Sequence, residues 1–322
     1  MINKIKFSVG IPAYKSHFLN ECISSILNQS YTEFELIIVN DYSPHPIDEI
    51  VEQFNDNRIR YFKNIKNTGA ENVANNFNNC LEKAQGDFFI LMGDDDKMEP
   101  DYLEEFVNLI NKYPTLDVYH CRSLIIDENS QPISLTPSCP EFESVYDNIW
   151  HRISGRRSQF ISDFVYRTSA LKELGGFYYM PLAWASDDIS AYRSCGDKGI
   201  AYINKPVFNY RINRYTISHG GNDFLKMSAI KREEEWLKIF VKDSPKFPLD
   251  LIIYKDICNK IDKYIMKKKI ITIAISLQNH SILFSSVKWW LQRKCYGLNT
   301  FGILYSVLEA LKSRYVRYKF KG

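Results

Sequence analysis

The chain has 322 residues, of which 45% are hydrophobic and 25% charged. These values fit a globular protein and exclude disordered and fibrous classes, and the length allows one large domain with an appendage or two domains. The formal net charge of +3 averages two unlike parts: residues 1–221 carry 21 Lys and Arg against 29 Asp and Glu, a balance of −8, whereas residues 222–322 carry 20 against 9, a balance of +11. Sequence texture changes at the same place, so the expected organisation is an acidic domain over 1–221 followed by a basic, mostly helical region over 222–322.

The pattern opens with Lys6 to Pro12 (KFSVGIP) and Phe34 to Asn40 (FELIIVN), short runs rich in β-branched and aromatic residues that suit buried parallel strands. Between them Leu19, Cys22, Ile23, Ile26 and Leu27 recur at helical spacing. The alternation predicts a helix near Pro46 to Phe54, a strand at Ile59 to Lys63, a helix from Ala70 to Ala84 and a strand at Phe88 to Met92. A helix from Pro100 to Tyr113, with proline in its first turn, a strand over Val118 to Ile126 and a loop over Gln131 to Glu143 come next. A mixed region runs to His219, and from Asp223 the pattern is helical. Such a βαβ series predicts a mostly parallel, Rossmann-like α/β sheet with helices on both faces and a C-terminal helical extension.

Seven scattered cysteines with no CxxC pair read as reduced thiols and point to a cytosolic setting. The N-terminal residues contain no apolar run of signal-peptide length. The apolar stretch Ile270 to Leu291 is interrupted by Gln278, Asn279, His280 and Lys288, so it reads as helix rather than membrane span. A cytoplasmic protein is expected.

Gly93-Asp94-Asp95-Asp96 follows an apolar strand, and ligands of open parallel sheets bind at the carboxyl ends of strands. Adjacent aspartates repel one another unless a cation or donors are present. Hard divalent cations prefer carboxylate oxygen, so Mg²⁺ or Mn²⁺ with substrate phosphates is one reading and an acidic turn before the next helix is the other. Asp41 ends a second strand at the same edge, where an N-cap role is equally open. Pro12, Ala13 and Tyr14, closing the first strand, offer a rim for a nucleotide base. Thr68-Gly69 and the run Asn75 to Asn79 are unusually polar for a packed helix, which suggests side-chain amide contacts. Asp187-Asp188 opens a helical pattern, suiting either the helix dipole or a general base beside a diphosphate. Arg193, Arg211 and His219 add cationic or ligand capacity.

Taken together, FSVGIPAYK, ELIIVNDYSP, NTGAENVANNFNNCLEKAQGDFFILMGDDDKMEP, FVYRTSALKELGGF and WASDDISAYR resemble, in order and spacing over residues 5 to 220, an inverting nucleotide-sugar glycosyltransferase of family 2 with the GT-A fold. The resemblance implies that Pro12, Ala13 and Tyr14 line the nucleotide pocket, that Asp41 reads the base edge and that Asp94 lies beside ribose and diphosphate. It implies Asp95 as principal metal ligand with Asp96 close by, Asp188 as catalytic base and Asp187 as its acidic neighbour; His219, apart from the resemblance, is a further candidate metal ligand, a structural role being the commoner one for a lone histidine. Gly69 and Arg193 complete the expected donor-binding set. Gly93 stands where many relatives carry the first aspartate of a DxD motif, so the register of the three aspartates is open by one.

The implied activity is metal-dependent, inverting transfer from a UDP-linked sugar to a hydroxyl of a glycan or lipid-linked acceptor in polysaccharide biosynthesis. A non-catalytic nucleotide-sugar or carbohydrate-binding module on the same fold is the competing expectation. A dinucleotide oxidoreductase is excluded because GIPAYK lacks the GxGxxG turn. In the basic region, Lys267-Lys268-Lys269 and the end KSRYVRYKFKG below Trp289-Trp290 suit an anionic membrane surface at the inner face of the cell membrane, a packed helical face or a homo-oligomer contact. No nucleic-acid-reading motif accompanies them.

Overall fold

The structure is a computed structural model that describes residues 4–214, 222–279 and 282–319. Packing of the backbone divides the chain into two compact units, Met1–His219 and Gly220–Gly322.

In the first unit, strand β1 (Phe7–Ala13), helix α1 (Leu19–Leu27), β2 (Phe34–Asn40), the short α2 (Ile47–Val51), β3 (Ile59–Lys63), α3 (Val73–Lys83) and β4 (Phe88–Leu91) follow in order. They are succeeded by β5 (Lys97–Met98), α4 (Tyr102–Lys112), β6 (Val118–Ile126), β7 (Pro132–Leu135), β8 (Phe142–Glu143) and α5 (Val145–Ile153). Strand β9 (Phe164–Arg167), α6 (Thr168–Glu173), α7 (Ser186–Cys195) and β10 (Ile200–Arg211) complete it. The sheet runs β3-β2-β1-β4-β9-β6-β10-β5, with β7 paired to β6 and β8 to β10. Strands β3, β2, β1 and β4 are mutually parallel, as are β6 and β10, while β9 runs antiparallel between β4 and β6.

β1 and β2 are buried along nearly their whole length, which is why they read as unbroken apolar runs rather than alternating ones. β1 lies between β2 and β4, its neighbours in the sheet but not both in sequence, so the strand order reverses here. A crevice opens outside the carboxyl ends of strands at such a point. The core beneath is built from Phe7, Val9 and Ile11 of β1, Leu36 and Ile38 of β2, Phe88 and Ile90 of β4 and the inner faces of α1 and α4.

Two details depart from the sequence reading. Residues Gln131 to Glu143, expected as loop, contain β7 and β8, both edge additions, where the exposed Pro132 does no harm. Pro100 lies outside its helix: Asp101 is the residue that precedes α4, and the Pro100 carbonyl accepts from the Ser30 amide instead.

The second unit holds α8 (Asp223–Phe240), α9 (Pro248–Asn279), α10 (Ile282–Gln292) and α11 (Thr300–Lys319). α9 buries Ile257, Ile261, Ile265, Ile273 and Leu277, a stripe at multiples of four residues, and α8 contributes Met227, Ile230 and Leu237. The lysine run at 267–269 is partly spent inside this unit. Lys268 pairs with Glu233, and the buried Lys269 lies 2.6 Å from Glu234. No described helix is long and apolar enough to cross a membrane.

One glycine is fixed by crowding. A Cβ at Gly86 would sit 2.7 Å from the backbone of Lys6, Phe7 and Ser8, atoms that cannot yield without distorting β1. Gly86→Ala is expected to cost ~1–3 kcal/mol by overpacking, measurable as a lowered midpoint in urea unfolding of the purified chain.

Candidate active site

The crevice at the ends of β1, β2 and β4 is a cleft of about 480 Å³, within the usual range for small-molecule sites. Its wall carries Pro12, Tyr14, Asp41, Gly69, Asp94 and Asp95. Pro12 lies at the end of β1 and Tyr14 is the residue directly after that strand. Pro12 and Tyr14 meet the cleft while Ala13 between them is fully buried, so Ala13 leaves the expected nucleotide-binding set. Tyr14 packs edge-on to His45, with centroids 5.9 Å apart, and His17 meets His45 in turn. His17 and His45, which extend the rim at Tyr14, carry no sequence pattern that marks them.

Asp41 reaches the wall, but its carboxylate is engaged. Oδ1 accepts from Asn64 Nδ2 at 2.7 Å and from the Thr68 amide at 3.0 Å, and Oδ2 accepts from Thr68 Oγ1 at 2.7 Å and Asn67 Nδ2 at 3.2 Å. Asp41 therefore braces the 64–68 loop, which places Gly69, with φ at +78°, on the cleft wall. The asparagines of α3 do make amide contacts. Asn76 bonds Asn64 from below the loop, while Asn78 pairs with both the N–H and the carbonyl of Phe177 in the turn after Gly176.

The turn after β4 is held from several sides. Asp94 Oδ2 accepts from the backbone amides of Tyr14 and Lys15, at 2.9 and 2.7 Å. Asp95 Oδ2 accepts from Lys15 Nζ at 3.1 Å and Asn213 Nδ2 at 2.8 Å. Asp96 is buried and absent from the cleft wall. Its Oδ1 accepts from the Arg211 amide and its Oδ2 from Ser162 Oγ. Burial, reinforced by the neighbouring Asp95, pushes the Asp96 carboxyl well above the ordinary range, and burial likewise raises Asp94. Asp96 thus anchors the turn rather than facing a ligand, which corrects its assignment as a metal ligand. Arg211, fully buried, is the strut behind it: Nε bonds the Asp95 carbonyl at 2.8 Å and Nη2 meets Glu21 at 2.6 Å.

A divalent cation is testable against this donor set. Asp94 Oδ1 and Asp95 Oδ1 accept no hydrogen bond among the described residues, and the Lys15 ammonium already lies 3.8 Å from the first carboxylate and 3.1 Å from the second. Burial opposes the charge of Lys15, yet Asp94 and Asp95 outweigh it and raise its pKa. The position thus attracts cations, and two carboxylates plus substrate phosphates are the usual holders of Mg²⁺. No group of three or more acidic, histidine or cysteine ligands gathers among the described residues. His219 lies outside the described residues.

Asp187 and Asp188 start α7. Asp188 Oδ2 is paired with Arg152 Nε at 2.9 Å, while Oδ1 is buried with no hydrogen-bond partner among the described residues. Asp187 Oδ1 accepts the Asp188 amide, and burial together with the charge of Asp188 lifts the Asp187 carboxyl to about 7. Neither acid lines the cleft, but Leu182 and Ala183, just before them, do. Leu182, Ala183 and Ala185 have φ of 60°, 51° and 67°, a strained run for side chains of this kind. Arg193 is removed from the donor-binding set: its guanidinium bonds the Leu174 carbonyl at 2.9 Å and lies over Tyr178.

Residues 8–172 match glycosyl transferase family 2. The chain belongs to this family. Among curated relatives, the putative teichuronic acid biosynthesis glycosyltransferase TuaG of Bacillus subtilis is 28% identical over 216 residues, covering 66% of the chain and 81% of that protein. Others are longer: the chain spans 39% of an uncharacterised glycosyltransferase of Rickettsia typhi, at 31% identity, and 40% of the poly(ribitol-phosphate) β-N-acetylglucosaminyltransferase TarS of Staphylococcus aureus. The crystal structure of S. aureus TarS 1–349 in complex with UDP-GlcNAc aligns with a TM-score of 0.65 at 15% identity, over 96% of the chain and 92% of that chain. The mannosyltransferase PcManGT of Pyrobaculum calidifontis, in complex with GDP-Man and Mn²⁺, aligns at 0.55 and 17% identity, over 97% and 87%. At these identities the structures establish the fold, that of the GT-A transferases.

The raised Asp187 has a consequence for stability. The folded chain holds this proton more tightly than the unfolded chain, whose aspartates titrate near 4, so its contribution declines as pH rises from about 4 to about 7. Asp187→Asn, which keeps an acceptor for the Asp188 amide, is expected to melt above wild type at pH 8, with the gap narrowing toward pH 5 in thermal scans.

Proposed function

We propose that this family 2 chain transfers a sugar from a nucleoside diphosphate donor, UDP-linked, to a hydroxyl of a glycan or lipid-linked acceptor in polysaccharide assembly at the inner face of the membrane, with inversion at the anomeric carbon. The observation that carries the reading is the cation-attracting cleft at the strand ends, whose wall includes Leu182 and Ala183 just ahead of α7, where Asp188 keeps a buried carboxylate oxygen, Oδ1, with no donor among the described residues. TuaG is named as a putative teichuronic acid biosynthesis glycosyltransferase and TarS as a poly(ribitol-phosphate) β-N-acetylglucosaminyltransferase, and the TarS structure is a complex with UDP-GlcNAc; these support the donor and acceptor class.

In this reading Pro12 and Tyr14 receive the nucleotide base and the braced loop at Gly69 closes over the ribose. Asp188, oriented by Arg152, accepts the proton of the acceptor hydroxyl through Oδ1 as that oxygen attacks the anomeric carbon. The new glycosidic C–O bond forms as the bond to the diphosphate breaks, the nucleoside diphosphate departs with the bonding pair, and no covalent enzyme intermediate arises. Mn²⁺ or Mg²⁺ would be held by Asp95 and Asp94, and when bound it neutralises charge on the leaving diphosphate. Lys15 must then leave Asp95, and its ammonium is available to the diphosphate.

Two measurements test this. Asp188→Asn is expected to retain UDP binding in calorimetry while transfer falls by ~10²-fold or more; near-normal turnover would remove Asp188 from the mechanism. Lys15→Met is expected to bind Mn²⁺ more tightly than wild type without nucleotide, because Asp95 loses its competing cation, and to bind UDP more weakly in EDTA. Unchanged titrations in both would remove Lys15 from the site.

A further inference from the structure

Helix α10 presents its apolar side outward. Trp289 is its buried residue, tilted against Phe224 with centroids 4.6 Å apart and donating Nε1–H to Ser276 Oγ at 3.2 Å. Away from Trp289, Leu283 is 80% exposed, Phe284 84%, Val287 58% and Leu291 66%, with Trp290 at 43%. At ~100° per residue these five fall within an arc of roughly 120°, a continuous stripe rather than scattered exposure. α11 repeats the pattern with exposed Phe301, Leu304, Tyr305 and Leu308 at helical spacing. Contiguous exposed apolar surface of this kind marks an interaction site.

Charge selects the partner. Lys288, whose ammonium rests 4.3 Å from the centre of the Phe224 ring, borders the stripe, Arg293 stacks over the Trp290 ring at 4.0 Å, and Lys294 is exposed beside them. Residues 282 to 296 contain no Asp or Glu. A two-fold contact between copies would bring the same basic rim against itself, since such interfaces are self-complementary. Lipid phosphates would neutralise it. The helix has 11 residues, about 16 Å in length and too short to span a bilayer, which suits a helix lying in the interfacial plane with its aromatic side chains at headgroup depth.

We propose that α10 is a membrane-docking element that inserts Leu283, Phe284, Val287 and Leu291 into the surface of an anionic bilayer, with Lys288, Arg293 and Lys294 on the headgroups. This stands apart from the transfer reaction and does not depend on it. The full chain is incubated with phosphatidylcholine vesicles, with or without about one-third phosphatidylglycerol, and sedimented at low and high salt. The chain is expected to sediment with the anionic vesicles only, less so in salt, and Lys288→Gln and Lys294→Gln are each expected to weaken binding on the order of fivefold. The triple change Leu283→Ser, Phe284→Ser and Leu291→Ser should abolish it while the far-UV circular dichroism and melting midpoint stay at wild type, because all three side chains are exposed. The serine variant binding like wild type would overturn the proposal. So would a wild type that ignores both vesicles, or one that forms a dimer in analytical ultracentrifugation that the serine changes dissociate.

Discussion

Three consecutive aspartates at the end of one buried strand are a standing electrostatic problem, and the arrangement of the first unit follows from how it is met. Burial raises the carboxyls of Asp94 and Asp96, so the turn persists only where donors surround it. They come from the end of β1 as the Tyr14 and Lys15 amides, from the turn before β9 as the Ser162 hydroxyl, and from the end of β10 as Arg211 and Asn213. Each such bond contributes ~0.5–1.5 kcal/mol. The turn thus ties both halves of the sheet together, and the cleft owes its fixed shape to that tie.

Much of this was legible because local pattern and topology agree. β1, β2 and β4 announce themselves as apolar runs, and the acids and turn residues after them share one edge because parallel strands end on the same side. The strand period also held information left unused. At the end of β1, Pro12 faces the cleft and the next residue, Ala13, faces the core, as a period of two requires, and in α7 the five-residue step from Asp188 to Arg193, ~140° around the helix, turns the two apart.

What the sequence does not carry is the identity of distant partners. Arg152 meets Asp188 across 36 positions, Ser162 meets Asp96 across 66, and Asn213 meets Asp95 across 118. These pairings exist only after β9 and β10 take their places in the sheet, and no local period encodes that. Lys15 is nearest to being readable, since it adjoins Tyr14 at a strand end opposite the aspartates. A lysine there has no pattern of its own, and its weight appears only when two carboxylates are found within reach.

The segment Pro181–Ala185 shows the same economy in backbone conformation. Left-handed φ at Leu182, Ala183 and Ala185 costs of order 1–3 kcal/mol per residue, a cost glycine would have avoided. The retained side chains account for it: Leu182 and Ala183 form part of the cleft wall, and Ala185 is buried directly before α7. The reversal also sets where α7 begins, and hence where Asp187 and Asp188 stand. A single strained run therefore fixes both part of the cleft wall and the two acids at the start of α7, so a shift in one would be felt at the other.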